Sequence, residues 1–131
     1  MILKNAKILN DEFKFECADI QIDGEIITKI GNDLSGDDEI DLEGKLILPG
    51  AIDIHTHGAV CHDHSTGDND GLARVCEFEA KNGVTSLLST TMTVSEEMLL
   101  SAVKKVADFI KTQKSGATPL GVHLEGPFFS M

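Results

Sequence analysis

The sequence has 131 residues, of which 22 are acidic and 11 are basic, so its formal net charge is −11 at pH 7. Hydrophobic residues make up 41% and charged residues 25%, which is ordinary globular usage and argues against a disordered acidic tail. The negative charge argues against nucleic-acid and anionic-membrane partners, because binding to either needs clustered Lys and Arg.

The cysteines predict the compartment. Cys17, Cys61 and Cys76 are odd in number and widely spaced, which favours a reducing compartment over a disulfide framework. We expect Cys17 and Cys76 to be small buried apolar residues. The N-terminus has no signal-peptide core, and no apolar run approaches the roughly 20 residues of a membrane helix. The sequence therefore predicts a cytoplasmic protein.

Residues 1–48 predict a small antiparallel sheet without a helix. Ile20 and Ile22 alternate with polar residues before Asp23-Gly24, and a second apolar run follows at 25–30. Asp-Gly between two such runs is a strong hairpin signal, because both residues tolerate positive φ.

From residue 49 onward the pattern changes to alternating strands and helices. The predicted segments are strand 51–57, helix 68–82, strand 84–89, helix 95–111 and strand 120–124. Gly83 stands where a helix C-cap belongs, and Thr93 with Glu96 forms a capping box for the second helix. This order predicts βαβ units and a parallel α/β sheet.

The second helix carries an apolar stripe that we expect in the core, formed by Leu99, Leu100, Val103, Val106, Ala107 and Ile110. Three parallel strands do not complete an α/β domain, because parallel sheets need both faces covered. We therefore expect the chain to be the front part of something longer.

Two histidines stand two residues apart at the end of the strand 51–57. Period-two alternation places Asp53, His55 and His57 on one face, and Ile52, Ile54 and Thr56 on a face that could pack under helices. Imidazole is the commonest metal ligand in proteins, so a strand pair of this kind could hold one ion. A pair of surface loop histidines fits the same pattern.

The strand 120–124 repeats this arrangement. Gly121, His123 and Glu125 share one face, and Glu125 lies at the strand end, before Gly126-Pro127. Active sites of parallel barrels lie at the carboxyl ends of the strands. Glu125 could thus join His55 and His57, or be an exposed loop carboxylate. For His123 we favour a packed histidine with ordinary hydrogen bonds.

The loop Cys61-His62-Asp63-His64 is a weaker metal candidate, because it lacks paired ligand spacing such as Cys-x-x-Cys. A solvated loop in which Asp63 accepts local backbone hydrogen bonds fits better.

Three motifs carry a family resemblance. The segment 48–58, Leu-Pro-Gly-Ala-Ile-Asp-Ile-His-Thr-His-Gly, resembles the opening metal motif of the amidohydrolase superfamily. The segments 82–86 with 90–93, and 121–128 (Gly-Val-His-Leu-Glu-Gly-Pro-Phe), resemble the next two motifs of the N-acetylglucosamine-6-phosphate deacetylase family. All three occur in family order, and the resemblance spans the N-terminal third or so of a family member.

The resemblance implies a fold and a set of ligands. The fold is the first three strands of a (β/α)₈ TIM barrel at 49–131, preceded by strands of a small β-sandwich at 1–48. Glu125 matches the carboxylate that binds the catalytic metal, usually zinc or iron. His55 and His57 match a pair that holds a second metal in some members, so one or two ions are implied.

The implied reaction is hydrolysis of the acetamide of N-acetylglucosamine 6-phosphate to glucosamine 6-phosphate and acetate, by a homodimer. The family's general base and two further histidines would lie beyond Met131. We therefore expect the 131-residue chain alone to be inactive. Another amide hydrolase or a deaminase of the superfamily, and a non-catalytic truncated module, are the alternatives.

Overall fold

The computed structural model describes residues 1–129, which form two compact units, Met1–Pro49 and a second unit that begins at Gly50. The protein is of mixed α/β type. The division into a β-sandwich part at 1–48 and a barrel part at 49–131 stays a prediction.

The first unit is a five-stranded sheet in the order β3-β2-β1-β4, with β5 also paired to β1. Its strands are β1 (Ile2–Leu9), β2 (Phe15–Asp23), β3 (Ile26–Gly31), β4 (Glu39–Asp41) and β5 (Leu46–Ile47). The predicted hairpin is confirmed, because Asp23 pairs with Ile26 across Gly24.

The prediction of a purely antiparallel sheet is wrong. The strands β4 and β5 run parallel to β1 along the edge that β2 leaves free. Sequence analysis also missed β1 itself, because the charged Lys4 interrupts the alternation of Ile2, Ala6 and Ile8. Lys4 is accommodated by an ion pair with the buried Asp19, at 2.7 Å.

The second unit has the predicted strand–helix order. Its main elements are β6 (Ala51–Thr56), α1 (Asn69–Lys81), β9 (Val84–Thr91), α2 (Glu96–Thr112) and β10 (Thr118–Leu124). The three long strands are parallel, as the sequence predicted, and their order in the sheet is β10-β9-β6. Between β6 and α1 lies a short antiparallel ribbon of β7 (Gly58–Ala59) and β8 (His62–Asp63).

The two helices begin at side-chain caps. For α1, Asp68 accepts a hydrogen bond from the amide of Gly71, and Gly83 with φ 88° follows the helix as predicted. For α2 the predicted capping box is wrong, because the N-cap is Ser95, whose hydroxyl accepts from the amide of Met98. Thr93 lies outside the helix, and its hydroxyl donates a hydrogen bond to the backbone carbonyl of Glu125, directly after the strand β10.

The core of the second unit lies between the sheet and the helices. It is formed by Leu72, Cys76, Leu87, Val106, Phe109 and Ala117. The apolar stripe predicted for α2 is only partly correct. Val106 is buried, but Leu100 is 63% exposed and Ile110 is 37% exposed, because α2 turns Ala102 and Phe109 toward the sheet instead.

Two other burial predictions fail. Ile52 and Ile54 of β6 are 62% and 64% exposed, so helices within residues 1–129 do not cover this face of the strand. Cys17 is exposed at the start of β2, whereas Cys76 is buried as expected.

No helix within residues 1–129 has the length and apolar character needed to cross a bilayer.

Candidate metal centre

The strand β6 brings two imidazoles to its carboxyl end. His55 is the penultimate residue of β6, and His57 is the first residue after the strand. The carboxylate of Asp53 accepts a hydrogen bond from the His55 amide at 2.9 Å, which fixes the backbone where the strand ends. Both histidines thus stand on an ordered segment.

Glu125 directly follows β10 and lies close to both imidazoles. Its Oε2 atom is 2.8 Å from His55 Nε2 and 2.9 Å from His57 Nε2. The ligand atoms of the three residues all lie within 4.8 Å of one another. The structure therefore brings together the three residues that the sequence analysis selected, across a separation of 70 positions.

The cluster is open to solvent on one side. The side chains of His55, His57 and Glu125 are 47%, 35% and 36% exposed. The hydrogen bond from His55 is the main cause that holds the pKa of Glu125 below its usual value, and His57 acts in the same direction. Desolvation opposes them. The carboxylate is therefore ionised at neutral pH.

The donor set fits a divalent metal ion. Glu125 as a carboxylate only accepts hydrogen bonds, so both Nε2 atoms carry protons in this arrangement. Two ligand atoms on one tetrahedral zinc ion lie about 3.3 Å apart, since its bonds to nitrogen and oxygen are about 2.0–2.1 Å long. The two distances from Glu125 Oε2 to the imidazole nitrogens, 2.8 and 2.9 Å, are near this spacing. To bind an ion through Nε2, each neutral imidazole would carry its single proton on Nδ1 instead.

The second ring nitrogen of His57, Nδ1, also bears on metal binding. Its Nδ1 atom is buried and has no hydrogen-bond partner within residues 1–129. A buried polar atom without a partner is rare in proteins. Histidines that bind a metal through one nitrogen usually hydrogen-bond through the other. A polar partner for this atom is therefore needed when Nε2 binds an ion.

His123 lies beside the cluster but is not one of its three members. Its Nδ1 donates a hydrogen bond to the carbonyl oxygen of Ile54 at 2.8 Å, as a packed histidine does. Its ring lies against His55, with centroids 4.5 Å apart. His123 thus supports the orientation of His55.

The loop after β6 folds as a capped turn. The Asp63 carboxylate accepts from the amides of Ser65 and Thr66, at 2.7 and 3.1 Å, which agrees with the local role predicted for it. Cys61 is exposed. His64 is different from the prediction of a solvated loop: it is only 3% exposed, and burial lowers the pKa of its imidazole.

Sequence analysis missed the hydrogen bonds of two hydroxyl groups, one to Glu125 and one to the end of β9. Thr93 Oγ1 donates a hydrogen bond to the backbone carbonyl of Glu125 at 3.2 Å. The buried Ser65 accepts one from the Met92 amide at 2.7 Å. Thr93 was interpreted as a helix cap, and no sequence signal distinguished its actual contact.

Comparison with known proteins shows similarity along nearly the whole chain to one kind of enzyme. No family model matches the chain. An N-acetylglucosamine-6-phosphate deacetylase of Lysinibacillus sphaericus is 32% identical over 132 aligned residues, which cover 99% of this chain and 34% of that protein.

Solved structures agree. The N-acetylglucosamine-6-phosphate deacetylase of Thermotoga maritima matches 99% of this chain with 33% of its own, at a TM-score of 0.80 and 31% identity. A variant of the Mycobacterium smegmatis enzyme in complex with N-acetyl-D-glucosamine-6-phosphate matches with a TM-score of 0.82 and 26% identity, over 99% and 33% of the two chains. The chain thus spans about a third of the length of these proteins. By sequence and by fold, it is a homologue of the N-terminal part of the N-acetylglucosamine-6-phosphate deacetylases.

Proposed function

We propose that His55, His57 and Glu125 bind a divalent metal ion, and that the complete protein hydrolyses the acetamide of N-acetylglucosamine 6-phosphate. The observation that carries this proposal is the approach of three ligand atoms to within 4.8 Å at the ends of two parallel strands. The names of the homologues support the substrate, as does the sugar phosphate bound to the Mycobacterium smegmatis variant.

The proposed fold context is the start of a (β/α)₈ barrel. Three parallel strands, adjacent in chain order and joined by helices, are what the first three strands of such a barrel look like. Polar residues at the carboxyl ends of β6 and β10 occupy the edge where barrel enzymes carry out their chemistry. The first unit would contribute strands to a small β-sandwich.

The donor atoms favour zinc among divalent metals, and iron is the alternative. Imidazole nitrogen suits zinc and iron, and a carboxylate completes common zinc sites. One ion satisfies the three ligands. A second ion would need donors outside this cluster.

The chemistry assigned to this segment is the holding of the metal. When bound, the metal would polarise an amide carbonyl and lower the pKa of water to about 7. Glu125 and the two histidines hold the site at the open, solvent-facing edge, where a substrate can approach. We assign no general base to residues 1–129, and we expect the isolated chain to be inactive.

Metal binding is tested by titrating the chain with zinc and measuring stoichiometry and affinity. Glu125→Gln removes one charged ligand and should abolish tight binding. Glu77→Gln is the matched control, because Glu77 is exposed on α1 and the chemical change is the same. Equal zinc affinity in Glu125→Gln and in the native chain would contradict the proposal.

The substrate is tested in the complete protein. We expect release of acetate from N-acetylglucosamine 6-phosphate, and none from the isolated chain. N-acetylgalactosamine 6-phosphate and cyclic amides serve as competing substrates. Preference for a cyclic amide would assign the protein to another branch of the superfamily. Cytoplasmic location and a homodimer stay predictions.

A further inference from the structure

Hydrogen bonds connect the ends of the three parallel strands of the second unit, and two of these bonds are made by side-chain hydroxyls. At the end of β6, the His57 carbonyl accepts from the His64 amide at 2.9 Å. The next residue, Ser65, is 4% exposed, and its hydroxyl accepts from the Met92 amide at 2.7 Å, directly after β9.

The connection continues from β9 to β10. Thr93 follows Met92, and its hydroxyl donates to the backbone carbonyl of Glu125 at 3.2 Å. A Cβ atom added at Gly126 would lie only 2.4 Å from Thr93 Oγ1, so the threonine is packed tightly against the residue after Glu125. The backbone of Glu125 is thus held from one side by Thr93.

We propose that Thr93 is a positioning residue for Glu125 and that Ser65 supports it, so that these two hydroxyls set the metal affinity of the cluster. The inference rests on the proposed metal site. Neither hydroxyl is counted among the ligands. Each acts by fixing backbone at a strand end, where a small rotation would displace the Glu125 carboxylate from His55 and His57.

The direction of the effect follows from preorganisation. If a ligand side chain must become ordered when the ion binds, the lost conformational entropy lowers the metal affinity. Groups that orient metal ligands typically change metal affinity by about 10- to 100-fold when they are removed. A hydrogen bond to the ligand's backbone is less direct than one to its side chain, so the lower end of this range is expected.

The test is zinc titration of the chain by calorimetry, with the melting temperature of the metal-free chain measured in parallel. Thr93→Val keeps the shape of the side chain and removes the hydroxyl, and we expect the zinc Kd to rise about tenfold. Thr93→Ser restores the hydroxyl and should restore the native Kd. A hydroxyl with a merely structural role would lower the melting temperature and leave the Kd of the folded chain unchanged.

Ser65→Ala is the second variant and is used alone if Thr93→Val does not fold. We expect a rise in Kd in the same direction, and no rise for Ser101→Ala, an exposed serine of α2. An unchanged Kd in Thr93→Val, or in Ser65→Ala where that variant stands alone, overturns the inference while the metal site stands. Absence of zinc binding by the native chain, or native binding by Glu125→Gln, overturns the metal site itself, and the inference with it.

Discussion

Asp19 in the first unit and Glu125 in the second unit are two carboxylates with different surroundings. In the first unit, Asp19 is 5% exposed and accepts from Lys4 Nζ at 2.7 Å and from the amides of Asn5 and Leu34 at 2.9 and 3.1 Å. In the second unit, Glu125 is in contact with two imidazoles and is open to solvent.

The difference distinguishes a structural carboxylate from a candidate ligand. Backbone amides and a lysine cannot exchange their protons for a metal ion at neutral pH, so Asp19 is satisfied as it stands. A neutral imidazole can carry its proton on the other ring nitrogen and offer a lone pair instead. A carboxylate surrounded by histidines and reachable from solvent therefore has a chemical use that a fully satisfied one lacks.

The largest expected effect comes from the core of the second unit. Leu87 of β9 is fully buried between the strands that carry the ligands, so Leu87→Ala should lower the free energy of unfolding by about 2–5 kcal/mol and weaken zinc binding. Ile20→Ala, in the core of the first unit, should also destabilise but leave the zinc Kd unchanged. Denaturant unfolding and zinc titration check both. A rise in the zinc Kd of Ile20→Ala would contradict the expectation that zinc binding depends on the core of the second unit and not on that of the first.

A pair of glycines compares backbone strain in the two units. Gly24 and Gly126 have φ of 63° and 88°, but only Gly126 has a close neighbour, Thr93. Gly24→Ala should cost about 1 kcal/mol, from the left-handed backbone alone. Gly126→Ala adds a steric clash worth about 1–3 kcal/mol to that backbone cost, and it should raise the zinc Kd. Thermal melts of both variants test this, and equal costs would argue against close packing at Thr93.

Acid should act on the first unit through Asp19. The Lys4 hydrogen bond, with those from the amides, holds the pKa of Asp19 below its usual 3.8. A depressed folded pKa contributes stability that is present above 3.8 and is lost as the pH falls through the lower folded value. The melting temperature should therefore fall in that range.

Asp19→Asn should remove this part of the acid dependence and lower the melting temperature at neutral pH. Asp37→Asn is the control, because Asp37 is exposed. Melting temperatures measured from pH 7 to pH 2 provide the comparison. An unaltered acid profile in Asp19→Asn would show that this carboxylate is not the responsible group.

The smallest effect concerns the start of α2. Ser95→Ala removes the N-cap, whose hydrogen bond to Met98 is long at 3.4 Å, so a loss of about 0.5–1 kcal/mol is expected. Denaturant unfolding is the measurement. A larger loss in zinc affinity than in stability would be unexpected, since the hydrogen bond that the Ser95 hydroxyl makes is to the Met98 amide and not to Glu125.

The sequence predicted those features that depend on local pattern. The hairpin at Asp23-Gly24 and the helix α1 follow from turn residues and apolar periodicity, and the structure confirms both. Alternation along two strands also selected His55, His57 and Glu125 before their distances were known.

The features that sequence analysis missed depend on contacts between distant residues. The strand β1 was not predicted, because Lys4 interrupts its apolar alternation. A lysine is tolerated at this position because it pairs with Asp19, 15 positions away. Thr93 fits a capping pattern locally, yet its hydroxyl bonds to a residue 32 positions away. The side of α2 that packs on the sheet was set by where the sheet lies, which no periodicity specifies.

The most direct test of the central claim is a crystal structure of the chain with zinc, with anomalous diffraction recorded at the zinc edge. We expect one anomalous peak within bonding distance of the Nε2 atoms of His55 and His57 and a carboxylate oxygen of Glu125. A chain that keeps this fold but binds zinc only elsewhere, with Glu125 still hydrogen-bonded to both imidazoles, would contradict it.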